Sequence, residues 1–125
     1  MLAFVLVVED DAGIREAVAA VIADEGYAVR TADDGIQALA IHLAEPARMI
    51  ATDIHMPRMD GREFVSILRN NGDMTPVLFF SAGARSVSAL PNTSFLPKPF
   101  DLDELLTLVH RGMTGSSTEY IPDSP

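Results

Sequence analysis

Apolar positions fall along this chain in two alternating rhythms, unbroken short runs and helix-spaced repeats. The opening Met1-Leu2-Ala3-Phe4-Val5-Leu6-Val7-Val8 reads as a buried first strand. Ile14, Ala17, Val18, Val21 and Ile22 then recur at helical spacing, and Asp24-Glu25-Gly26 supplies a glycine stop. Tyr27-Ala28-Val29-Arg30-Thr31 alternates apolar with polar, as an edge strand does. Asp34 stands three residues before Gln37, a cap-like start for a helix carrying Ile36, Leu39, Ala40 and Leu43. Met49-Ile50-Ala51-Thr52 forms the next apolar run and ends at Asp53. Asp60 and Glu63 repeat the cap spacing ahead of Phe64, Val65, Ile67 and Leu68. Pro76-Val77-Leu78-Phe79-Phe80 and the shorter Ser94-Phe95-Leu96 are further strands. Asp101 and Glu104 open a last helix with Leu102, Leu105, Leu106 and Val109 inward. Between Ser81 and Phe95, Gly83, two serines and Pro91 leave space for a couple of helical turns. A fourth helix is therefore expected to be short or irregular.

Strict strand–helix alternation predicts an α/β fold: a doubly wound, five-stranded parallel sheet with right-handed crossovers. The first, third and fourth runs are the most apolar, so they belong inside, and the order 2-1-3-4-5 follows. Ligands of such sheets bind outside the carboxyl ends of the strands, where strands one and three diverge. A chain of 125 residues suffices for one core, here residues 1–112. Residues 113–125 show no periodicity and are expected to form a flexible tail or linker. A formal charge of −9 argues against a nucleic-acid surface. The chain has no cysteine, which excludes thiolate metal sites and is compatible with a reducing cytosol. Its first apolar run is too short to span a bilayer and lacks a basic leader.

Three strand ends deliver charge to the same edge. Leu6-Val7-Val8 runs into Glu9-Asp10-Asp11, the third strand stops at Asp53, and the fifth runs into Pro97-Lys98-Pro99-Phe100. Neighbouring carboxylates repel by about 1 kcal/mol per pair at 4 Å in water and about 4 at an effective dielectric of 20. A hard divalent cation offsets that cost, and oxygen-only ligands in an open site suit Mg²⁺. Adjacent Glu9 and Asp10 point in different directions along a strand, so one is expected to bind directly and the other through water. Asp11 reads as a helix cap. A carboxylate beside such a cation can accept a phosphoryl group. Lys98, the Ser81 hydroxyl and the Ala82 backbone N–H are candidates to meet the developing charge. Lys98-Pro99 is a candidate cis peptide, although most X–Pro bonds are trans.

Val7-Val8-Glu9-Asp10-Asp11, Asp53 within Thr52-Asp53-Ile54-His55-Met56-Pro57-Arg58-Met59-Asp60-Gly61, Phe80-Ser81-Ala82 and Leu96-Pro97-Lys98-Pro99-Phe100 together resemble the receiver domain of two-component response regulators, a flavodoxin-like fold. The resemblance implies that Asp53 takes a phosphoryl group from a sensor histidine kinase or phosphotransfer protein. It implies that Glu9, Asp10, Asp53 and the main-chain carbonyl of His55 hold Mg²⁺, with Ser81, Ala82 and Lys98 contacting the phosphoryl group. Ser81 and Phe95 would form the switch toward a downstream protein. A cytoplasmic, non-enzymatic protein is implied, monomeric or a weak phosphorylation-dependent dimer, touching neither membrane nor nucleic acid. Two other functions compete: a pseudo-receiver that is never phosphorylated, and an aspartate-nucleophile phosphatase. The phosphatase would want a second aspartate where this chain has His55.

Overall fold

In the computed structural model, which describes residues 2–82 and 90–115, five parallel strands form one sheet in the order β2-β1-β3-β4-β5. They are β1 (Phe4–Val8), β2 (Ala28–Ala32), β3 (Met49–Asp53), β4 (Val77–Ser81) and β5 (Thr93–Pro97). Four helices accompany them among the described residues: α1 (Ala12–Asp24), α2 (Gly35–Ala44), α3 (Gly61–Asn70) and α4 (Leu102–Thr114). The predicted sheet and its order are both present. The expected short helix after Ser81 falls mostly on residues 83–89, outside the described residues.

Apolarity sorted the strands as burial would. β1, β3 and β4 are buried at every position, while β2 and β5 at the edges are partly exposed. Alternate residues of each strand face opposite sides, so one sheet feeds two cores. Leu6, Val8, Ile50 and Phe79 pack with Phe64, Val65 and Leu68 of α3. Val5, Val7, Leu78 and Phe80 pack with Val18 and Ile22 of α1 and with Leu105, Leu108 and Val109 of α4. Each such side chain withdrawn from water contributes about 1.5–3 kcal/mol before entropy is charged against it.

The caps show why the helices begin where they do. Asp11, Asp34 and Asp60 each accept a backbone N–H three residues on, and Asp60 with Glu63 makes a full capping box. Asp101 starts α4 by accepting from Asp103 N–H rather than from Glu104. The last helix also outruns the expected boundary at residue 112. It continues through Thr114 and stops at Gly115, whose φ of 81° is left-handed. Gly112 carries no side chain that would collide with Met49, and Met113 beyond it is buried in the core. A glycine that read as the end of periodicity is in fact a close-packing position.

Candidate functional site

The end of β3 and the loops after β1 and β5 bring Asp53, Glu9, Asp10 and Lys98 to one end of the sheet. Lys98 Nζ donates to Glu9 Oε1 at 2.7 Å and to Asp53 Oδ2 at 2.8 Å. One carboxylate oxygen from each of Glu9, Asp10 and Asp53 lies within 4.8 Å of the others. Glu9 and Asp53 are buried whereas Asp10 is exposed, the divergence expected of successive residues at a strand end. The remaining Glu9 oxygen accepts Asp11 N–H at 3.1 Å, and Asp53 Oδ1 accepts His55 N–H at 3.2 Å.

Burial pushes the Glu9 carboxyl up to about 7; the Lys98 bond opposes this, and Asp10 and Asp53 add to it. Burial pulls the Lys98 ammonium down, but its bonds to Asp53 and Glu9 outweigh that and hold it above its ordinary value. Both shifts run the same way. A pocket with more carboxylates than cations holds its protons tightly, which leaves it suited to an added cation.

Lys98 is itself positioned. Its ammonium lies 5.4 Å from the centre of the Phe80 ring, and Phe100 meets that ring edge-on at 5.8 Å. Lys98 N–H bonds Ser81 carbonyl oxygen at 3.0 Å, tying the fifth strand end to the fourth, and Lys98–Pro99 is cis. Ser81 is buried and Ala82 exposed at the end of β4. Phe95 is half-buried on β5, opposite Phe79 in the register. Ser81 lies two residues beyond Phe79, so Ser81 and Phe95 share the sheet face that packs α3. His55 is exposed in the loop after Asp53. The other histidines sit elsewhere: His42 on α2 bonds Asp73, and His110 on α4 bonds the Tyr27 hydroxyl.

Two features of the Asp53 loop escaped the sequence reading. Arg58 adopts φ 68°, uncommon for a residue with a side chain, and its guanidinium bonds the buried Asp34 through Nε at 2.6 Å and also through a terminal nitrogen. The Gln37 N–H bond, with help from Arg58, holds the Asp34 carboxyl below its usual range despite burial. Asp34 therefore caps α2 and clamps the Asp53 loop together, where only the cap could be seen from spacing. Gly61 is the second feature. A Cβ there would sit 2.2 Å from the Asp53 carbonyl oxygen, so glycine lets α3 start directly against the backbone that presents Asp53.

Residues 5–110 match the model of the response regulator receiver domain family. Response regulator MprA of Mycobacterium sp. (strain KMS) is 36% identical over 97% of this chain and 55% of its own length. The Mycobacterium avium (strain 104) protein of the same name is 37% identical over 82% of the chain and 47% of its own length. The chain thus spans about half the length of these curated relatives. Among solved structures, the Vibrio cholerae chemotaxis protein CheY4 superposes with a TM-score of 0.80 at 35% identity, covering 89% of this chain and 98% of that one. The NtrX receiver domain from Brucella abortus gives 0.80 at 32% identity, covering 90% and 99%. Fold, acidic pocket and sequence agree on one class, a receiver module. The chain belongs to the receiver-domain family of response regulators.

Proposed function

We propose that this receiver is a phosphoacceptor switch, with Asp53 accepting a phosphoryl group from a phosphohistidine on a sensor kinase or phosphotransfer protein. The observation that carries this reading is the bridge from Lys98 to both Glu9 and Asp53, beside an exposed Asp10. An Asp53 oxygen forms the new bond to phosphorus while the phosphorus–nitrogen bond breaks and its electron pair stays on the departing imidazole. Lys98 then meets a phosphoryl oxygen, with the Ser81 hydroxyl and Ala82 N–H as further donors.

The donor set fits Mg²⁺: it is all oxygen, clustered and partly open to solvent. Glu9, Asp10 and Asp53, with the His55 carbonyl, would hold the ion, Asp53 and Asp10 being the reactive and the solvent-facing members. Bound there, Mg²⁺ supplies the positive charge that a phosphoryl group needs to approach a carboxylate. Beside Lys98, a basin of about 450 Å³ is lined by Ile14, Ala82, Pro99 and Phe100, an apolar footing for the donor protein.

Output would run through Ser81 and Phe95. They share one sheet face on adjacent strands, so displacement of Ser81 toward a phosphoryl group opens space that Phe95 can occupy. Coupling of this kind amounts to about 1–3 kcal/mol. No helix among the described residues is long and apolar enough to cross a membrane. A phosphohistidine donor on a sensor kinase would make the cytoplasm the module's working compartment. We assign it no turnover of its own, because His55 stands where a phosphatase would need a second aspartate.

Treatment with acetyl phosphate and Mg²⁺ tests this by mass spectrometry. The protein should gain one phosphoryl group, and Asp53→Asn should gain none. An unchanged wild-type mass, with a kinase domain as alternative donor also failing, would mean a pseudo-receiver that acts only by binding.

A further inference from the structure

Among the four described helices, α2 alone presents no charge to solvent. Its sequence, Gly35-Ile36-Gln37-Ala38-Leu39-Ala40-Ile41-His42-Leu43-Ala44, has one titratable residue, and His42 is buried. Gly35, Ala38 and His42 face inward, with Leu39 and Ile41 half-buried against the core. The opposite side turns Ile36, Ala40, Leu43 and Ala44 outward, Ile36 being 50% and Leu43 68% exposed. The spacing i, i+4, i+7, i+8 puts the four on one stripe. Single exposed apolar residues need no explanation, but a continuous stripe on an otherwise acidic molecule does.

Charge identifies the occupant. With a formal charge of −9, two copies of this chain repel over most of their surface. The exposed parts of α1 and its C-cap carry Glu16, Asp24 and Glu25, and α4 opens with Asp101 and Asp103. On the α2 stripe no like charges are forced together. An ion pair of mixed sign stands at each end: Asp33 with Arg58 at 3.8 Å by the N-terminus, and Arg30 with Glu45 at 3.7 Å by the C-terminus. A two-fold contact with the helices antiparallel lays each end on the other, so acid can face base twice. Isologous interfaces require this self-complementarity. Ala40 and Ala44 are small enough that the Ile36 and Leu43 side chains of an opposing helix could pack over them.

We propose that the outer face of α2 is a self-association surface, on which a second copy of this chain docks its own α2 antiparallel. The proposal stands apart from phosphorylation of Asp53. Ten residues of helix span about 15 Å, so the contact is small and the dimer weak, with Kd on the order of 10–1000 μM.

Sedimentation equilibrium of the 125-residue chain, from roughly tens of micromolar to about a millimolar, tests it. A reversible monomer–dimer equilibrium is expected. Leu43→Glu should weaken it about tenfold or more, whereas Leu102→Glu, at a 51% exposed residue on α4, should leave it unchanged. Because the chain has no cysteine, Ala40→Cys introduces one thiol near the dyad. A short bis-maleimide should join that variant into a covalent dimer faster than it joins Leu102→Cys. A monomer throughout the range, a dimer indifferent to Leu43→Glu, or equal crosslinking at both positions would overturn the proposal.

Discussion

The acidic pocket at the carboxyl edge of the sheet and the His42–Asp73 cluster at its amino edge both bury charge, and they settle it in opposite ways. In the cluster, His42 Nδ1 accepts Ala47 N–H at 3.0 Å, which leaves Nε2–H to donate to Asp73 Oδ2 at 2.7 Å. The other Asp73 oxygen accepts Thr75 N–H at 2.9 Å and the Thr75 hydroxyl at 2.6 Å. Arg69 closes the region by donating to the carbonyl oxygens of Asp73, Thr75 and Pro91. Burial works against the Asp73 carboxylate, but its bonds to Thr75 and His42 outweigh it and hold it below its ordinary value. Each carboxylate oxygen there has donors. In the pocket, Glu9 and Asp53 share the Lys98 ammonium with Asp10 close beside them, and Glu9 is pushed up to about 7. A satisfied cluster stabilises the fold; an unsatisfied one keeps binding capacity in reserve at a cost in stability.

The largest expected difference is in chemistry. Lys98→Ala should slow phosphoryl acceptance from acetyl phosphate about 100-fold or more, since it removes the ammonium that bonds the reacting carboxylate. Asp73→Ala should leave that rate unaltered within experimental scatter. Equal loss in both variants would show that the two regions are not functionally distinct.

Metal response comes next. An ion that binds only the folded chain stabilises it by about 2.7 kcal/mol at a hundredfold excess over Kd. Millimolar Mg²⁺ should raise the melting temperature of the wild type and of Asp73→Ala alike, and Asp10→Ala should lose most of the increment. If Asp10→Ala responds fully, the ion binds elsewhere.

Removing charge should then act with opposite sign at the two edges. Asp73→Ala leaves the buried Nε2–H of His42 without its acceptor and should cost roughly 1–3 kcal/mol in urea unfolding. Glu9→Gln, measured without metal at pH 8, should stabilise by on the order of 1 kcal/mol, because it deletes a carboxylate whose ionisation the fold disfavours. Two destabilised variants would mean that Lys98 compensates Glu9 completely.

A last contrast separates the regions by pH. Glu9 has a folded value near 7 against 4.5 for the free group. Its favourable contribution is complete below about pH 4.5 and is lost as pH rises toward 7. Asp73 lies below 3.8, so its contribution is present above that value and disappears as pH falls through the folded one. Metal-free stability of the wild type relative to Glu9→Gln should therefore decline between pH 4.5 and 7, while relative to Asp73→Ala it should hold steady across the same span. A flat first curve would deny the strain ascribed to the pocket.

Much of this could be read from the chain before any coordinates. Phe4–Val8, Met49–Asp53 and Val77–Ser81 are apolar up to their carboxyl ends and lie inside; the alternating second run lies at an edge. Those properties are local, set by whether a strand is covered on one face or two. Asp11, Asp34 and Asp60 were legible as caps because a cap needs only a three-residue spacing. The strand ends that carry Glu9, Asp53 and Lys98 were legible too, since parallel order dictates which edge they share. Arg58 gave no signal at all, because its partner lies 24 residues away on another unit. The roles of Gly112 and Gly61 also depend on what packs against them, Met49 in one case and the Asp53 backbone in the other.

By itself, the order of residues determined the alternation of strands and helices, the interior strands, and which carboxylates and which lysine reach the carboxyl edge. Only the tertiary structure decided that one ammonium bridges Glu9 and Asp53, that Asp34 grips the loop of Arg58, and that α2 turns an uncharged stripe to solvent. The reason is physical. Periodicity and capping are satisfied within a few residues, whereas contact distance and exposure are set by elements that meet only when the two cores pack.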